Sequence, residues 1–347
     1  MDVEKVGKAI AFLRKRAGYT QKDLADRIGI SDKAVSKWER GLSLPDITYF
    51  GKLSILLDTD TDSLLTGDVI HHDKFWNGLL VLPENAYDIG AGTIIYDKPL
   101  VYYLLSYFLL VGVKTIYVVC SDRDKAYMSS ELGDGAGLGI TLRYCGQRYE
   151  DVCQLLAGAE CSNIMAVFDR TLIYGVDQTR FFQRAMMQKD HLTILSLPQK
   201  HIASDEPSLF FDEYMQLVSS DSGEKVNTQY NYYKIPVLFC PRNRLNEICK
   251  NEGGRFSVSL AVNHTGQLYT EVLDRGYVEM RLNMPDNVID ASSFVRMVQR
   301  TCGMNIYCIE EIAWRRGMIS MEMLREYGQR KSKTEYGRYL MSLCEDY

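Results

Sequence analysis

The chain has 347 residues, 46% of them hydrophobic, enough for a small domain beside a large one with a sizeable core, which excludes global disorder. Its best apolar run, "LVYYLLSYFLLVGV", is shorter than the roughly 18 residues of a membrane span, and the charged start "MDVEKVGKAIAFLRKR" reads as no signal peptide. The net charge of −5 conceals a split: residues 1–41 carry ten Lys/Arg and six Asp/Glu, the remainder thirty and thirty-nine, so a basic head precedes an acidic body and only the head is suited to nucleic acid.

In "VEKVGKAIAFLRKRAG", Val3, Val6, Ile10, Leu13 and Ala17 recur at helical spacing, and Gly18 can end the helix. Thr20 can cap a second helix, "QKDLADRIG", closed by Gly29. Ser31 can cap a third, "DKAVSKWERG", closed by Gly41; Pro45 and Asp46 open a fourth, "ITYFGKLSILL"; "TDTDSLLTG" reads as a short fifth. A small residue at Ala25 lets two helices cross closely, Gly29 allows the tight turn between them, and Val35 and Trp38 plug the back of the third helix into the core.

The string "YTQKDLADRIGISDKAVSKWERG" resembles the Cro/C1-type (XRE-like) helix-turn-helix family, over residues 1–66. The resemblance implies a double-stranded DNA partner, with the third helix in the major groove. It places Ser31, Asp32, Lys33, Ser36 and Lys37 on the DNA-facing side, the lysines suited to guanine and Asp32 to cytosine. Gln21 would meet a phosphate at the start of the second helix; Arg14, Lys15 and Arg40 are further backbone candidates. The competing reading is a bundle for protein contacts whose charges are merely solvated.

"TGDVIHHDKFWNG" has neither helical nor strand period, so 67–78 reads as a linker. His71 and His72 are adjacent and would point apart on a helix; they are expected to be solvated, not metal ligands.

From Leu79 on, strand-like and helix-like stretches alternate: "GLLVLP", then helix "KPLVYYLLSYFLLVG", strand "TIYVVC", helix "DKAYMSSELG", strand "ITLRYCG", helix "YEDVCQLLAGAE", strand "NIMAVFD", helix "DQTRFFQRAMMQ" and strand "LTILSLP". That order predicts a mostly parallel α/β sheet with its ligand site beyond the strands' carboxyl ends. Nine cysteines, none before Cys120 and none in a CxxC pair, suit reduced thiols and a cytoplasmic location, not a disulfide framework or a zinc site.

"YDKPLVYYLLSYFLLVGVKTIYVVCSDRD", "ELGDGAGLGITLRYCGQ", "LDRGYVEMRLNMPDNVIDASSFV", "NIYCIEEIAWRRGMIS" and "YGRYLMSL" together resemble the sugar-phosphate nucleotidyltransferases, closest to glucose-1-phosphate thymidylyltransferase. The resemblance spans nearly all of 79–347. It implies a Rossmann-like nucleotidyltransferase-like α/β domain with a mixed, mostly parallel sheet, behind an all-α helix-turn-helix domain. The family reaction joins a sugar 1-phosphate to the α-phosphate of a nucleoside triphosphate, using a Gly-rich loop, cationic side chains and magnesium on two aspartates.

Against that pattern Pro83, Glu84 and Asn85 stand where the family has Ala-Gly-Gly, and the loop's Arg and Lys are missing. Gly90 and Gly92 read as a turn. Asp169 matches the first metal aspartate; Arg281 takes the place of the second, which predicts an ion pair between them and no metal site. Gln147 matches a position that reads the nucleobase edge, so Gln147, Asp169 and Arg281 are the candidate ligand residues. Whether Lys225 replaces a lost lysine is open; Arg315 and Arg316 are expected to face solvent.

The expectation is therefore a transcription regulator that is not an enzyme. Its body would sense a nucleotide or sugar nucleotide, mediate oligomerisation, or both. No cofactor and no membrane partner is expected, and the protein is expected to be a homo-oligomer, dimer or higher. The alternatives are an active nucleotidyltransferase carrying a DNA-binding domain, and a ligand-free scaffold.

Overall fold

The structure is a computed structural model; it describes residues 2–16, 19–57, 59, 61–67, 76–198, 209–211, 217–219, 230–258 and 268–345. Ala17, Gly18, His71, His72, most of the expected linker and the hairpin around Lys225 lie outside the described residues. Contacts divide the chain into two compact units, Met1–His72 with Ala313–Ser320, and Asp73–Ile312 with Met321–Tyr347.

The head contains helices α1 (Val3–Arg16), α2 (Gln21–Ile28), α3 (Asp32–Glu39), α4 (Ile47–Leu56) and α5 (Thr61–Thr66). Thr20 caps α2 reciprocally with Asp23: its hydroxyl accepts the Asp23 N–H at 3.1 Å, and Asp23 Oδ2 accepts the Thr20 N–H at 2.8 Å. Gly29 ends α2 at φ 84°, a conformation a Cβ would strain. Ser31 caps α3 as expected, but the C-cap is Arg40, with Gly41 following at φ 67°. Val6, Ile10, Leu13, Leu24, Ala25, Val35, Trp38, Phe50, Leu53 and Leu64 form one buried cluster, so the apolar faces read from the sequence do meet.

The body runs β1 (Trp76–Val81), β2 (Ile94–Ile95), β3 (Lys98–Pro99), α6 (Leu100–Leu110), β4 (Thr115–Val119), α7 (Asp122–Leu132), β5 (Thr141–Cys145), α8 (Tyr149–Ala157), β6 (Asn163–Val167), β7 (Thr171–Tyr174), α9 (Gln178–Met187) and β8 (Leu192–Pro198). It continues with β9 (Leu209–Phe211), β10 (Leu217–Ser219), β11 (Tyr230–Pro241), α10 (Leu245–Ile248), β12 (Cys249–Glu252), β13 (Arg255–Val258), β14 (Leu268–Val272), β15 (Val278–Arg281), α11 (Pro285–Cys302), α12 (Ile309–Arg315), α13 (Met321–Arg330) and α14 (Glu335–Leu343). One sheet has the path β10-β9-β11-β6-β1-β4-β5, with β8 on β11 and β14 on β8. Strands β6, β1, β4 and β5 are parallel, as are β8 and β14; β11 runs against β6, β8 and β9.

The apolar helix starts at Leu100, not Lys98, because Pro99 serves as its N-cap and the residue before a proline disfavours helix. Lys98 and Pro99 pair instead with Ile94 and Ile95. Arg315 is exposed, but Arg316 is buried, correcting the expectation for it; neighbours on a helical turn point about 100° apart and cannot share one environment.

Strand β1 is flanked by β6 on one side and β4 on the other, so the chain's crossovers diverge there. Such a switch point opens a crevice beyond the strands' carboxyl ends.

Candidate functional site

In the head, Val35 and Trp38 anchor the back of α3, and this orients its other face outward. Ser31, Asp32, Lys33, Lys37 and Arg40 are exposed and Ser36 is half-buried. Two of these have local duties as well: the Ser31 hydroxyl accepts the Ala34 N–H at 3.3 Å, and Asp32 Oδ1 accepts the Lys33 N–H at 2.8 Å. The Arg40 guanidinium turns back to the Ser36 carbonyl at 3.2 Å.

Arg14 does not face a phosphate. Its guanidinium is buried against Glu39, through Nε at 2.5 Å and a second nitrogen at 3.0 Å, and also donates to the Tyr19 carbonyl. Gln21 donates its amide to the same Glu39 carboxylate at 2.7 Å. One buried acid thus draws both Arg14 and Gln21 inward, while Lys15 stays exposed.

In the body, the ends of β1, β5 and β6 and of β15 converge. Gln147, just past β5, donates its side-chain amide to the Leu82 carbonyl at 2.8 Å, and its own carbonyl accepts the Phe256 N–H at 2.8 Å. Arg170, just past β6, reaches the Pro83 carbonyl. The two carbonyls just past β1 are therefore each held by a side chain that follows another strand of the sheet, Gln147 after β5 and Arg170 after β6. Glu84 is paired with Arg255 of β13. Asn85 donates to the Asn283 carbonyl at 2.9 Å.

Asp169 accepts the Arg170 N–H on one oxygen at 2.7 Å and lies 3.4 Å from the Asn283 amide on the other. Burial lowers the pKa of Arg281, and the Asp169 carboxylate acts against that shift. Asp169 and Arg281 thus share the cleft and sense each other's charge, although the carboxylate oxygen 3.5 Å from Arg281 Nε belongs to Glu279. Glu279 also accepts the Thr171 hydroxyl at 2.8 Å, so β7 and β15 hold it beside Arg281. Arg170 is lowered by burial too, opposed by Asp124 and Asp169.

The resemblance implies magnesium at Asp169 and at the position of Arg281. The donor set does not fit it: a guanidinium replaces one carboxylate, and both oxygens of the other already face N–H donors. Gly90 and Gly92 are packing residues. A Cβ on Gly90 would lie 2.4 Å from Asp124 Oδ1, and one on Gly92 would lie 2.9 Å from the Tyr127 ring. Asp124 uses that space to accept the Ala91 N–H at 2.7 Å.

Sequence reasoning passed over Arg170 and Arg255. Arg170 directly follows Asp169, a signal that was in reach. Arg255 arrives on a hairpin, and nothing local to it announces the cleft.

The head matches a helix-turn-helix family model over residues 10–64. Over 267 residues the chain is 29% identical to a glucose-1-phosphate thymidylyltransferase of Neisseria meningitidis serogroup A, covering 72% of this chain and 90% of that one. It is 30% identical over 268 residues to a protein of the same name from Mycolicibacterium smegmatis, again covering 72% and 90%. A Bacillus anthracis protein assigned to the same activity and solved with sucrose shares the fold, with a TM-score of 0.50 at 10% identity, covering 64% of this chain and 95% of that one. The expectation that the body is no enzyme is overturned by these relatives, which are named for an enzymatic activity. With a helix-turn-helix domain at its head, the chain belongs to the glucose-1-phosphate thymidylyltransferase family.

Proposed function

We propose that the protein is a sequence-specific DNA-binding transcription regulator whose body binds a nucleotide or nucleotide sugar. The observation that carries the reading is the exposed row Asp32, Lys33 and Lys37 on a helix whose opposite face is anchored by Val35 and Trp38. Such a helix presents donors and an acceptor to base edges in a fixed orientation. In the cleft, Arg281 beside Glu279 and Arg255 beside Glu84 offer guanidinium donors, Asp169 and Asn283 supply hydrogen-bonding groups, and the ring of Tyr149 stacks beside Phe256 next to Gln147. Guanidinium groups recognise phosphate oxygens with two parallel hydrogen bonds, so a diphosphate fits this set without a divalent cation.

Selection of a binding site from random duplexes, followed by anisotropy titration with and without thymidine diphosphate sugars, tests the reading. A preferred duplex whose affinity changes with the sugar nucleotide is the expected result. Arg281→Ala should weaken the ligand, and chelating magnesium should leave its binding unchanged. Failure to bind any duplex in a salt-dependent way would remove the regulator reading.

The relatives' named activity favours a second role for the same cleft, nucleotidyl transfer to a sugar 1-phosphate. Pyrophosphate release from nucleoside triphosphate and sugar 1-phosphate is its measure. The two roles are separable, because only the first requires that ligand and DNA affinity be linked.

A further inference from the structure

Beyond the carboxyl end of β1, where a bound phosphate would meet the chain, the loop carries two acids, Glu84 and Asp88. Glu84 is paired with Arg255 of β13. Asp88 is paired with Arg123 in the first turn of α7, which also donates to the Asp88 carbonyl at 3.1 Å. All four side chains are more than half exposed. Exposed ion pairs add little to stability, so the fold gives no reason for either acid. Their effect on an incoming anion is larger, because each carboxylate cancels a guanidinium that a phosphate would otherwise meet.

The two ends of this loop are pinned more firmly than its middle. At the first end Gln147 holds the Leu82 carbonyl at 2.8 Å and Arg170 holds the Pro83 carbonyl. At the second, the buried Asp124 carboxylate accepts the Ala91 N–H at 2.7 Å, and the Thr93 hydroxyl accepts the Gly90 N–H at 3.0 Å. Arg123 lies close against that end: a Cβ on Gly90 would come within 2.7 Å of its guanidinium. Among the described residues, the polar contacts that tie 84–88 to other elements are the two ion pairs, the Arg123 bond to the Asp88 carbonyl, and one amide bond from Asn85 to the Asn283 carbonyl at 2.9 Å. The turn itself is local, since Asn85 Oδ1 accepts the Tyr87 N–H at 2.8 Å. The loop is a strap with two fixed ends and an acidic middle.

We propose that this strap is autoinhibitory: Glu84 and Asp88 occupy, as carboxylates, the seats on Arg255 and Arg123 that a ligand's phosphates take when it binds. This rests on the nucleotide reading of the cleft and adds to it a built-in competitor. Carboxylate and phosphate make the same kind of paired contact with a guanidinium, so one replaces the other without rebuilding the arginine. The exchange is easy because the pairs to be broken are exposed and weak. It also selects. An uncharged sugar has nothing with which to displace either acid, whereas a phosphorylated one does. The arginines are thereby kept in position for phosphate and withheld from weaker ligands.

The test is calorimetric titration of the full-length chain with inorganic pyrophosphate and with thymidine diphosphate. Salt is held at about 0.15 M, where exposed charges more than about 8 Å apart are largely screened. Glu84→Gln and Asp88→Asn should each tighten both probes roughly two- to fivefold, the scale of one exposed ion pair. Loss of a negative charge favours an anion even at a distance, so the deciding measurement is a double-mutant cycle. In an Arg255→Met background Glu84→Gln frees no arginine and its gain should be lost; the same holds for Asp88→Asn in Arg123→Met. An equal gain with and without the arginine, or no gain in the wild-type background, would overturn the strap. So would failure of both probes to bind the wild type and the Glu84→Gln, Asp88→Asn double variant alike. The two readings fail differently. Thymidine diphosphate that binds the wild type but is indifferent to every acid variant removes the strap and leaves the nucleotide reading. Pyrophosphate that follows the cycle while thymidine diphosphate binds no tighter than pyrophosphate supports the strap and removes the nucleotide reading.

Discussion

Arg14 and Glu39 grip each other through two hydrogen bonds although they stand 25 residues apart on different helices, and both side chains are almost wholly buried. Arg14→Met should therefore leave a buried carboxylate with only Gln21 for company. Removing one partner of a buried pair costs about 3–5 kcal/mol, much of it the penalty on the orphaned charge. Thermal unfolding should show the loss directly. A phosphate-contact role would instead lower the salt dependence of DNA binding with the melting temperature intact.

Lys33→Ala and Lys37→Ala should leave folding untouched, since both side chains are exposed. Where the lysine reads a guanine edge, the change should cost about 1–3 kcal/mol on the preferred duplex and relax preference at one base pair. Equal weakening on every sequence, with a smaller salt slope, would reassign that lysine to the phosphate backbone.

The cap of α2 gives a pH prediction. The Thr20 hydroxyl, and then its backbone N–H, hold the Asp23 carboxyl below its ordinary value. A lowered folded-state pKa means the ionised carboxyl stabilises the head above the unfolded pKa of about 3.9, and that this is lost as pH falls through the lower folded value. The stability gap between wild type and Asp23→Asn should be open at neutral pH and closed in strong acid. A gap that does not vary with pH would show that the carboxylate's charge contributes nothing.

Gly90→Ala should push Asp124 off the Ala91 N–H, because the added carbon has no room beside Oδ1. Overpacking of this kind costs about 1–3 kcal/mol. Lower stability with unchanged affinity per folded molecule is expected. A selective loss of nucleotide binding would put the glycine at the ligand after all.

The head was nearly all legible, and for one physical reason. Ala25, Gly29, Val35 and Trp38 act within a few turns of one another, so spacing alone carries their roles. Arg14 was misread because its burial depends on Glu39, and a basic residue at a helix end looks the same in sequence whether it meets DNA or a buried acid. The body's strands and helices were legible from alternation, with Pro99 moving one boundary. Its cleft was legible only in part. Gln147 holds the Leu82 carbonyl and the carboxylate nearest Arg281 Nε is Glu279, while Arg255 comes on a hairpin between β12 and β13 and Arg170 is defined by the Pro83 carbonyl it reaches. Lys98 shows the same limit: it is buried in a pair with Asp97, and its other partner, Gln299, sits on a helix some two hundred residues on.

The central place of β1 has a consequence for how the chain is made. Trp76 pairs with Asn163 and Gly78 with Ile116, so the middle of the body's sheet waits for chain far downstream. The helices of the head bury their apolar faces in a core of their own. Local contacts form quickly and distant strand pairing slowly, and domains emerging from the ribosome fold in order. The core of the head can thus form while β1, buried along its whole length, still has neither neighbour. During that interval β1 is an apolar strand with two open edges, exposed to mispairing or to a chaperone.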